Sequence, residues 1–282
     1  MEYFINAWQQ LPSHVSPALF SIGSFQLRYY SLMYLVAFAI VYFLTLYRVK
    51  SENYEYTAEM VQDYLVWAML GLICGARFGY ALFYNFSYYV QHPLEIILPF
   101  DFSNGFKFVG LSGMSYHGGL IGVVIVTLLF CRKHKINIWH FIDLFTPAIP
   151  LGYTFGRIGN FMNGELYGRA TTMPWGMYFP LDMTHRLRHP SQLYEAVFEG
   201  IVLFTLLWLI RKKKFFDGFL IGIYICGYGI ARFFIEFFRE PDYQLGFVLS
   251  FMSMGQVLCA LMIMGGIIIL VWRKQVSVSP KS

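Results

Sequence analysis

Residues 248–272 read VLSFMSMGQVLCALMIMGGIIILVW, a run without a single charged side chain that ends against Arg273 and Lys274. A helix needs about 20 residues to cross the hydrocarbon core of a bilayer. This run is long and apolar enough to be a membrane span, and it sets the terms on which the rest of the chain is read. Six further apolar segments of similar length precede it, near 29–47, 61–84, 114–131, 138–157, 193–210 and 217–237. The composition agrees: of 282 residues, 57% are hydrophobic, 20% aromatic and 13% charged. A soluble domain carries about 25% charged residues, and the mean hydropathy here is +0.52. Disorder and a water-soluble globule are both excluded. The expected fold is an all-α polytopic membrane protein with about seven transmembrane helices. It forms a single integral domain over 1–282, with an external arm-like connection at 90–110 and a short external head at 166–190.

Basic residues orient this bundle. Arg48 and Lys50 follow the first segment, Arg132, Lys133 and Lys135 the third, Arg211, Lys212, Lys213 and Lys214 the fifth, and Arg273, Lys274 and Lys281 the seventh. Twelve of the 21 Lys and Arg therefore fall on one side, against six on the other (Arg28, Lys107, Arg169, Arg186, Arg188 and Arg239). The positive-inside rule then puts the N-terminus outside and the C-terminus in the cytoplasm. The net charge of +5 is thus a topology signal, and no nucleic-acid partner is expected. No nucleotide loop, GxSxG, HExxH or RNA-binding signature is present. Cys74, Cys131, Cys226 and Cys259 lie in apolar stretches without CxxC spacing, so neither a disulfide framework nor a zinc site is expected. The opening MEYFINAWQQLPSHV has no basic stretch leading into an apolar run, so no cleavable signal peptide is expected. There is no internal repeat, and an odd number of spans fits poorly with two inverted halves.

Polar residues inside apolar segments carry the functional signal. Arg77, Arg157, Arg232, Asp143 and Glu236 all lie within or at the end of such segments. An arginine at mid-bilayer costs about 2.5–3.5 kcal/mol, so each needs a partner, a water path or a task. Depth is the informative feature. Tyr30 and His117 open the first and third segments at the outer surface, Arg157 closes the fourth there, and Arg232, Glu236 and Arg239 close the sixth. Four spans thus bring polar groups to one leaflet, which marks a site.

Within it, GRIGNFMNGELYG (156–168) sets Arg157, Asn160, Asn163 and Glu165 among glycines. Arg157 and Asn160 share a helix face, and the glycines allow close approach and a non-helical exit whose amides can meet an anion. The alternative is a helix end stabilised by an Arg157–Glu165 pair. His117, in SYHGGLIG (115–122), has the side chain suited to proton transfer near neutral pH; alternatively it is a satisfied interfacial histidine. No second histidine or cysteine stands at ligand spacing, so no metal is expected. Arg232, Glu236 and Arg239 form one stripe, either reaching into the lipid layer or acting as an intrahelical ladder. In HPSQLYE (189–195), helix capping is the default and a lining role for Gln192 or Glu195 the alternative. Asp143 is expected to pair internally, and the 211–214 basic run to contact anionic lipid.

The run Gly156–Gly168 resembles the signature of the prolipoprotein diacylglyceryl transferase family. So, in order, do Tyr30–Tyr34, His117-Gly118-Gly119, Arg188–Glu195 and Arg232–Arg239, and the resemblance covers nearly the whole chain. It implies a seven-span protein of the bacterial cytoplasmic membrane with its active site facing the outer leaflet. Such an enzyme moves the diacylglyceryl group of phosphatidylglycerol onto the lipobox cysteine of a prolipoprotein signal peptide, leaving a thioether and glycerol 1-phosphate. No cofactor is implied. The resemblance gives His117, Arg157, Arg232 and Tyr30 as catalytic. It places Asn160 and Glu165 with them as essential or lipid-binding, and the reading of the residues themselves adds Asn163, Glu236 and Arg239 to Asn160, Glu165, Arg157 and Arg232 as the expected substrate-binding set. The stretch between Gly168 and Arg188 is short, which leaves the peptide contacts open. A transporter of anionic lipid is the main alternative function.

Overall fold

The computed structural model describes residues 2–22, 25–98, 100–101, 107–108, 113–213, 215–240 and 252–278. Lys214, Lys281, the Pro241–Asp242 end of the sixth-segment motif, residues 248–251 and parts of the 90–110 connection lie outside them. Two short helices, α1 (Glu2–Gln9) and α2 (Leu11–His14), lead into an antiparallel hairpin of β1 (Ala18–Ile22) and β2 (Phe25–Arg28). The helices α3 (Tyr29–Ser51), α4 (Ala58–Phe83) and α5 (Phe86–Gln91) follow, then the two-residue strands β3 (Phe100–Asp101) and β4 (Lys107–Phe108). After these come α6 (Tyr116–His134), α7 (Ile138–Phe145), α8 (Ile149–Met162), α9 (Ser191–Glu195), α10 (Leu203–Ile210), α11 (Phe219–Ile235) and α12 (Met254–Val278).

A π-helical stretch, Ala196–Val202, joins α9 to α10 in one helix, Ser191–Ile210. Among the described residues, five helices are long and apolar enough to span a membrane: Tyr29–Ser51, Ala58–Phe83, Tyr116–His134, Ser191–Ile210 and Met254–Val278. The protein is mostly helical and polytopic. The fourth apolar segment is broken by a 3-10 turn, Thr146–Ala148, because Pro147 and Pro150 lack the N–H that would continue an α-helix. Its second half, α8, runs five residues past the expected end at 157. Gly159 does not stop it; a Cβ there would lie 3.2 Å from the Tyr30 ring and 3.3 Å from Met33, so the glycine serves helix packing.

The chain forms two compact units, Asn53–Phe141 and the remainder. In the Asn53–Phe141 unit, α4 meets α6 along Gly71, Gly75 and Gly79 on one helix and Gly118 and Gly122 on the other. A Cβ on Gly75 would strike the Gly118 carbonyl oxygen, one on Gly122 the Gly71 carbonyl oxygen, and one on Gly79 would lie 2.7 Å from Gly118 Cα. This is the small-residue packing that lets membrane helices approach at backbone distance. Gly122→Val is expected to force the pair apart and cost about 1–3 kcal/mol, read as a lower thermal midpoint in detergent. In the same unit, buried Arg77 donates to the carbonyls of Ile96 (3.0 Å), Gly113 (3.3 Å) and Glu95 (2.6 Å) and lies over the Tyr89 ring. Arg77 therefore has its partners within the fold.

In the other unit, α8 packs on α3 and on the π stretch, and α11 packs on α12. At one end, fully buried Arg48 donates to the Asp143 and Leu144 carbonyls (both 2.6 Å) and forks onto Glu52 (2.8 and 2.7 Å), which also faces Arg211 at 3.3 Å. Asp143 accepts from the backbone N–H of Gly218 (2.8 Å) and Ile221 (2.9 Å), so it caps α11. Its internal partners among the described residues are backbone amides, not a cation.

Candidate active site

At the other end of that unit, α8 presents Tyr153, Arg157 and Asn160 at i, i+4 and i+7, one face of a helix. The helix Ser191–Ile210 contributes Glu195 and Glu199, both fully buried. From α11 and the turn after it come Arg232, Glu236 and Arg239, and from the start of α12, Ser253.

Glu195 is the hub. Arg157 Nε lies 2.7 Å from its Oε2, while Arg239 Nη1 (2.7 Å) and Arg232 Nη1 (3.1 Å) meet its Oε1. A carboxylate taken fully out of water costs several kcal/mol unless it is paired; here three guanidiniums from two elements surround it. The Tyr153 hydroxyl accepts from Arg157 Nε (2.7 Å) and lies within hydrogen-bond reach of both Glu195 and Glu199. Arg232 also faces Glu199 at 3.8 Å and Glu236 at 3.4 Å, and Arg239 Nε lies 3.5 Å from Glu236. Ser253 donates to Glu236 at 3.2 Å.

A second chain of bonds runs from Arg157 Nη1 to Asn160 Oδ1 (3.2 Å) and from Asn160 Nδ2 to Glu165 Oε1 (2.8 Å), which also takes Asn163 Nδ2 at 3.3 Å. Gln192 holds the Glu165 carbonyl at 2.5 Å. Among the described residues, Nη2 of Arg157 and Nη2 of Arg239 have no hydrogen-bond partner, and both side chains keep 16% of their surface exposed. A planar guanidinium with an open edge in a water-poor place suits a phosphate oxygen.

Beside the cluster, an apolar groove of about 520 Å³ runs between Ser191–Ile210 and α11. Its walls are chain neighbours of the charged residues: Tyr194 precedes Glu195, Ala231 precedes Arg232, and Ile235 precedes Glu236.

The 166–190 segment folds over this end of the unit. Arg188 forks onto Asp182 (2.7 and 3.1 Å), reaches Glu240 at 2.9 Å and covers the Tyr167 ring. Trp8 Nε1 and Gln9 Nε2 tie α1 to the carbonyls of Trp175 and Pro174. Arg169 Nε donates to the Arg239 carbonyl at 2.6 Å. The guanidinium of Arg188 holds the Asp182 carboxyl well below the usual carboxylate range. The stabilisation this gives is present at neutral pH and is lost only as the pH falls below the ordinary aspartate value of about 4. Asp182→Asn is expected to cost about 2 kcal/mol, less than for a fully sequestered pair because Glu240 is half exposed. The loss would be read as faster amide exchange confined to 167–189.

The structure brings Arg157, Asn160, Asn163, Glu165, Arg232, Glu236 and Arg239 into one connected network. Tyr30 packs on Gly159 of α8 and shares a 3.0 Å hydroxyl contact with Tyr34. His117 belongs to the Asn53–Phe141 unit, exposed in the first turn of α6, where Ser115 caps the helix by accepting from Gly118 N–H. The local Arg157–Glu165 pair gives way to a distant one: Arg157 meets Glu195, and reaches Glu165 only through Asn160. Capping is likewise not the role of Glu195, which is the hub. Sequence reading missed Tyr153 and Glu199; the usable signals were the four-residue spacings Tyr153–Arg157 and Glu195–Glu199.

Residues 17–272 match the family model described as prolipoprotein diacylglyceryl transferase. A phosphatidylglycerol–prolipoprotein diacylglyceryl transferase of Chlorobaculum tepidum is 58% identical over 96% of this chain and 94% of its own length. Those of Campylobacter hominis and Campylobacter jejuni are each 46% identical, over 92% and 95% of this chain and 91% and 97% of theirs. With a match across nearly its whole length and this degree of identity, the chain belongs to the prolipoprotein diacylglyceryl transferase family.

Proposed function

We propose that this protein transfers the diacylglyceryl group of phosphatidylglycerol to the lipobox cysteine of a prolipoprotein, forming a thioether and releasing glycerol 1-phosphate. The observation that carries this reading is the convergence of Arg157, Arg232 and Arg239 on one buried carboxylate with two Nη2 groups left open, beside an apolar groove. An anionic headgroup with acyl tails has the matching chemistry. The seven-span reading counts the five long helices, α7–α8 as one broken span and α11 as a short one. With the N-terminus outside, the arginine cluster, the 90–110 connection and the 166–190 head lie at the outer face of a bacterial cytoplasmic membrane.

In the reaction, the cysteine sulfur attacks the glycerol carbon, the carbon–oxygen bond to phosphate breaks, and the electron pair leaves with the phosphate. Arg157 meets that growing charge with its open Nη2 and Arg232 adds its positive field, and donors already in place contribute several kcal/mol to such a step. Asn160, Asn163 and Glu165 fix the Arg157 edge of the site, Glu236 and Arg239 the other, and Tyr30 supports α8 at Gly159. A free cysteine has a pKa of about 8.5, so only a few per cent is thiolate at neutral pH. His117 takes the thiol proton. Accordingly, His117→Gln should lower kcat/KM, with the loss shrinking toward alkaline pH as the cysteine ionises unaided; full activity from pH 6 to 9 would remove His117 from this role.

The reaction itself is tested by incubating the purified protein with phosphatidylglycerol and a signal-sequence peptide containing the cysteine, then weighing the peptide. A diacylglyceryl mass gain with glycerol phosphate released, both lost in Arg157→Ala, is the expected result. A well-folded protein that adds no mass would bring forward the anionic lipid transporter, to be tested by lipid flux in vesicles.

A further inference from the structure

The site holds one acidic side chain for which the transfer reaction has no use. Glu199 is fully buried in the π stretch, one turn deeper than Glu195. π turns inside α-helices are rare and frequently mark functional positions. Tyr153 and Arg157 face Glu199 from α8, Arg232 from α11, Cys259 from α12, and Glu195 from its own helix, with Tyr228 of α11 packed edge-on against the Tyr153 ring. Its Oε2 takes the Tyr153 hydroxyl, while its Oε1 is buried with no hydrogen bond among the described residues. The nearest cation is Arg232, at 3.8 Å. Glu195, by contrast, has three guanidinium nitrogens within 3.1 Å.

Counted as formal charges, the groups around Glu195 and Glu199 balance, Arg157, Arg232 and Arg239 against Glu195, Glu199 and Glu236, with Glu165 set behind Asn160. A phosphodiester entering this water-poor place adds one uncompensated negative charge, and the carboxylate with the weakest grip is the one that gives way. We propose that Glu199 is a proton-binding site coupled to lipid capture: as the phosphodiester headgroup settles on the arginines, one proton passes from water to the Glu199 carboxylate, and it returns to water when the phosphate leaves. This rests on the transferase reading and adds a linked equilibrium to it.

The test is titration calorimetry of the full-length protein in detergent with dihexanoyl phosphatidylglycerol, in buffers of different ionisation enthalpy. The expected uptake is about one proton per lipid bound near pH 8, with affinity falling about tenfold for each pH unit above that. Glu199→Gln should bind with almost no uptake and a flat pH profile. Zwitterionic dihexanoyl phosphatidylcholine should cause none. Lipid binding by the wild-type protein without proton uptake, or equal uptake in Glu199→Gln, overturns the proposal and leaves the transferase reading intact. Should the variant not fold, the wild-type buffer series decides alone. Absence of both lipid binding and peptide modification would overturn the two readings together.

Discussion

Replacing Arg157 by lysine is expected to lower kcat/KM for diacylglyceryl transfer by about 10²–10³-fold, some 3–4 kcal/mol of transition-state stabilisation, while the protein stays folded. Three contacts hold the guanidinium: Glu195 and the Tyr153 hydroxyl at Nε, both 2.7 Å, and Asn160 at Nη1, 3.2 Å. Those bonds fix its plane and leave Nη2 aimed outward. An ammonium group is a single point charge without that fork. It can keep Glu195 company or meet the phosphate, but not both in the same geometry. Since the ion pair survives, the thermal midpoint should move by only a few degrees. Single-turnover transfer to a signal peptide, with the midpoint measured alongside, checks both halves. Activity within tenfold of the original would mean that Arg157 serves the fold and not the phosphate.

Glu195→Leu should be the most damaging single change to stability. It leaves three guanidiniums facing one another across an apolar side chain. Removing one partner of a buried ion pair costs about 3–5 kcal/mol; the lower half of that range applies here, because the arginines keep 16–17% of their side-chain surface exposed. The expected readout is a sharp fall in monodisperse protein recovered in detergent. Adding Arg239→Met should restore part of it, since the two sites share one contact and their effects do not add. A Glu195→Leu protein with an unchanged midpoint would show that water, not Glu195, balances these arginines.

The spans were legible because a bilayer imposes a length and an apolar composition on each one. The arginines and Glu236 were legible for the opposite reason: charge inside an apolar run demands an explanation. The partners were not. Arg157 has a glutamate eight residues away in sequence and another 38 away, and only the fold makes the second the nearer. Glu195 follows Pro190 and Ser191, a setting that reads as a helix start, and nothing local reports how deeply the fold buries it. Arg48 looked like one more cytoplasmic charge; its ties to the carbonyls of Asp143 and Leu144 span a separation in sequence that no local pattern reports. The break at Pro147 was readable in principle, since proline removes the donor the helix needs, yet a hydropathy average passes straight over it.

The π stretch at Ala196–Val202 also decides what a change of length would do to this helix. A π turn carries one residue more than the α-helix around it needs. Each residue of an α-helix turns the chain by about 100° and advances it about 1.5 Å. Deleting one residue between Ala196 and Val202 would let the helix close into regular α geometry, and because the residue lost is the surplus one, Glu195 would keep its facing relative to the half that packs with Leu203 and Leu207. The loss would fall inside the stretch, where Glu199 would leave the place it holds against the Tyr153 hydroxyl while Glu195 kept its three arginines. Bulk is no freer to change there than length, since a Cβ on Gly200 would strike the Thr154 hydroxyl.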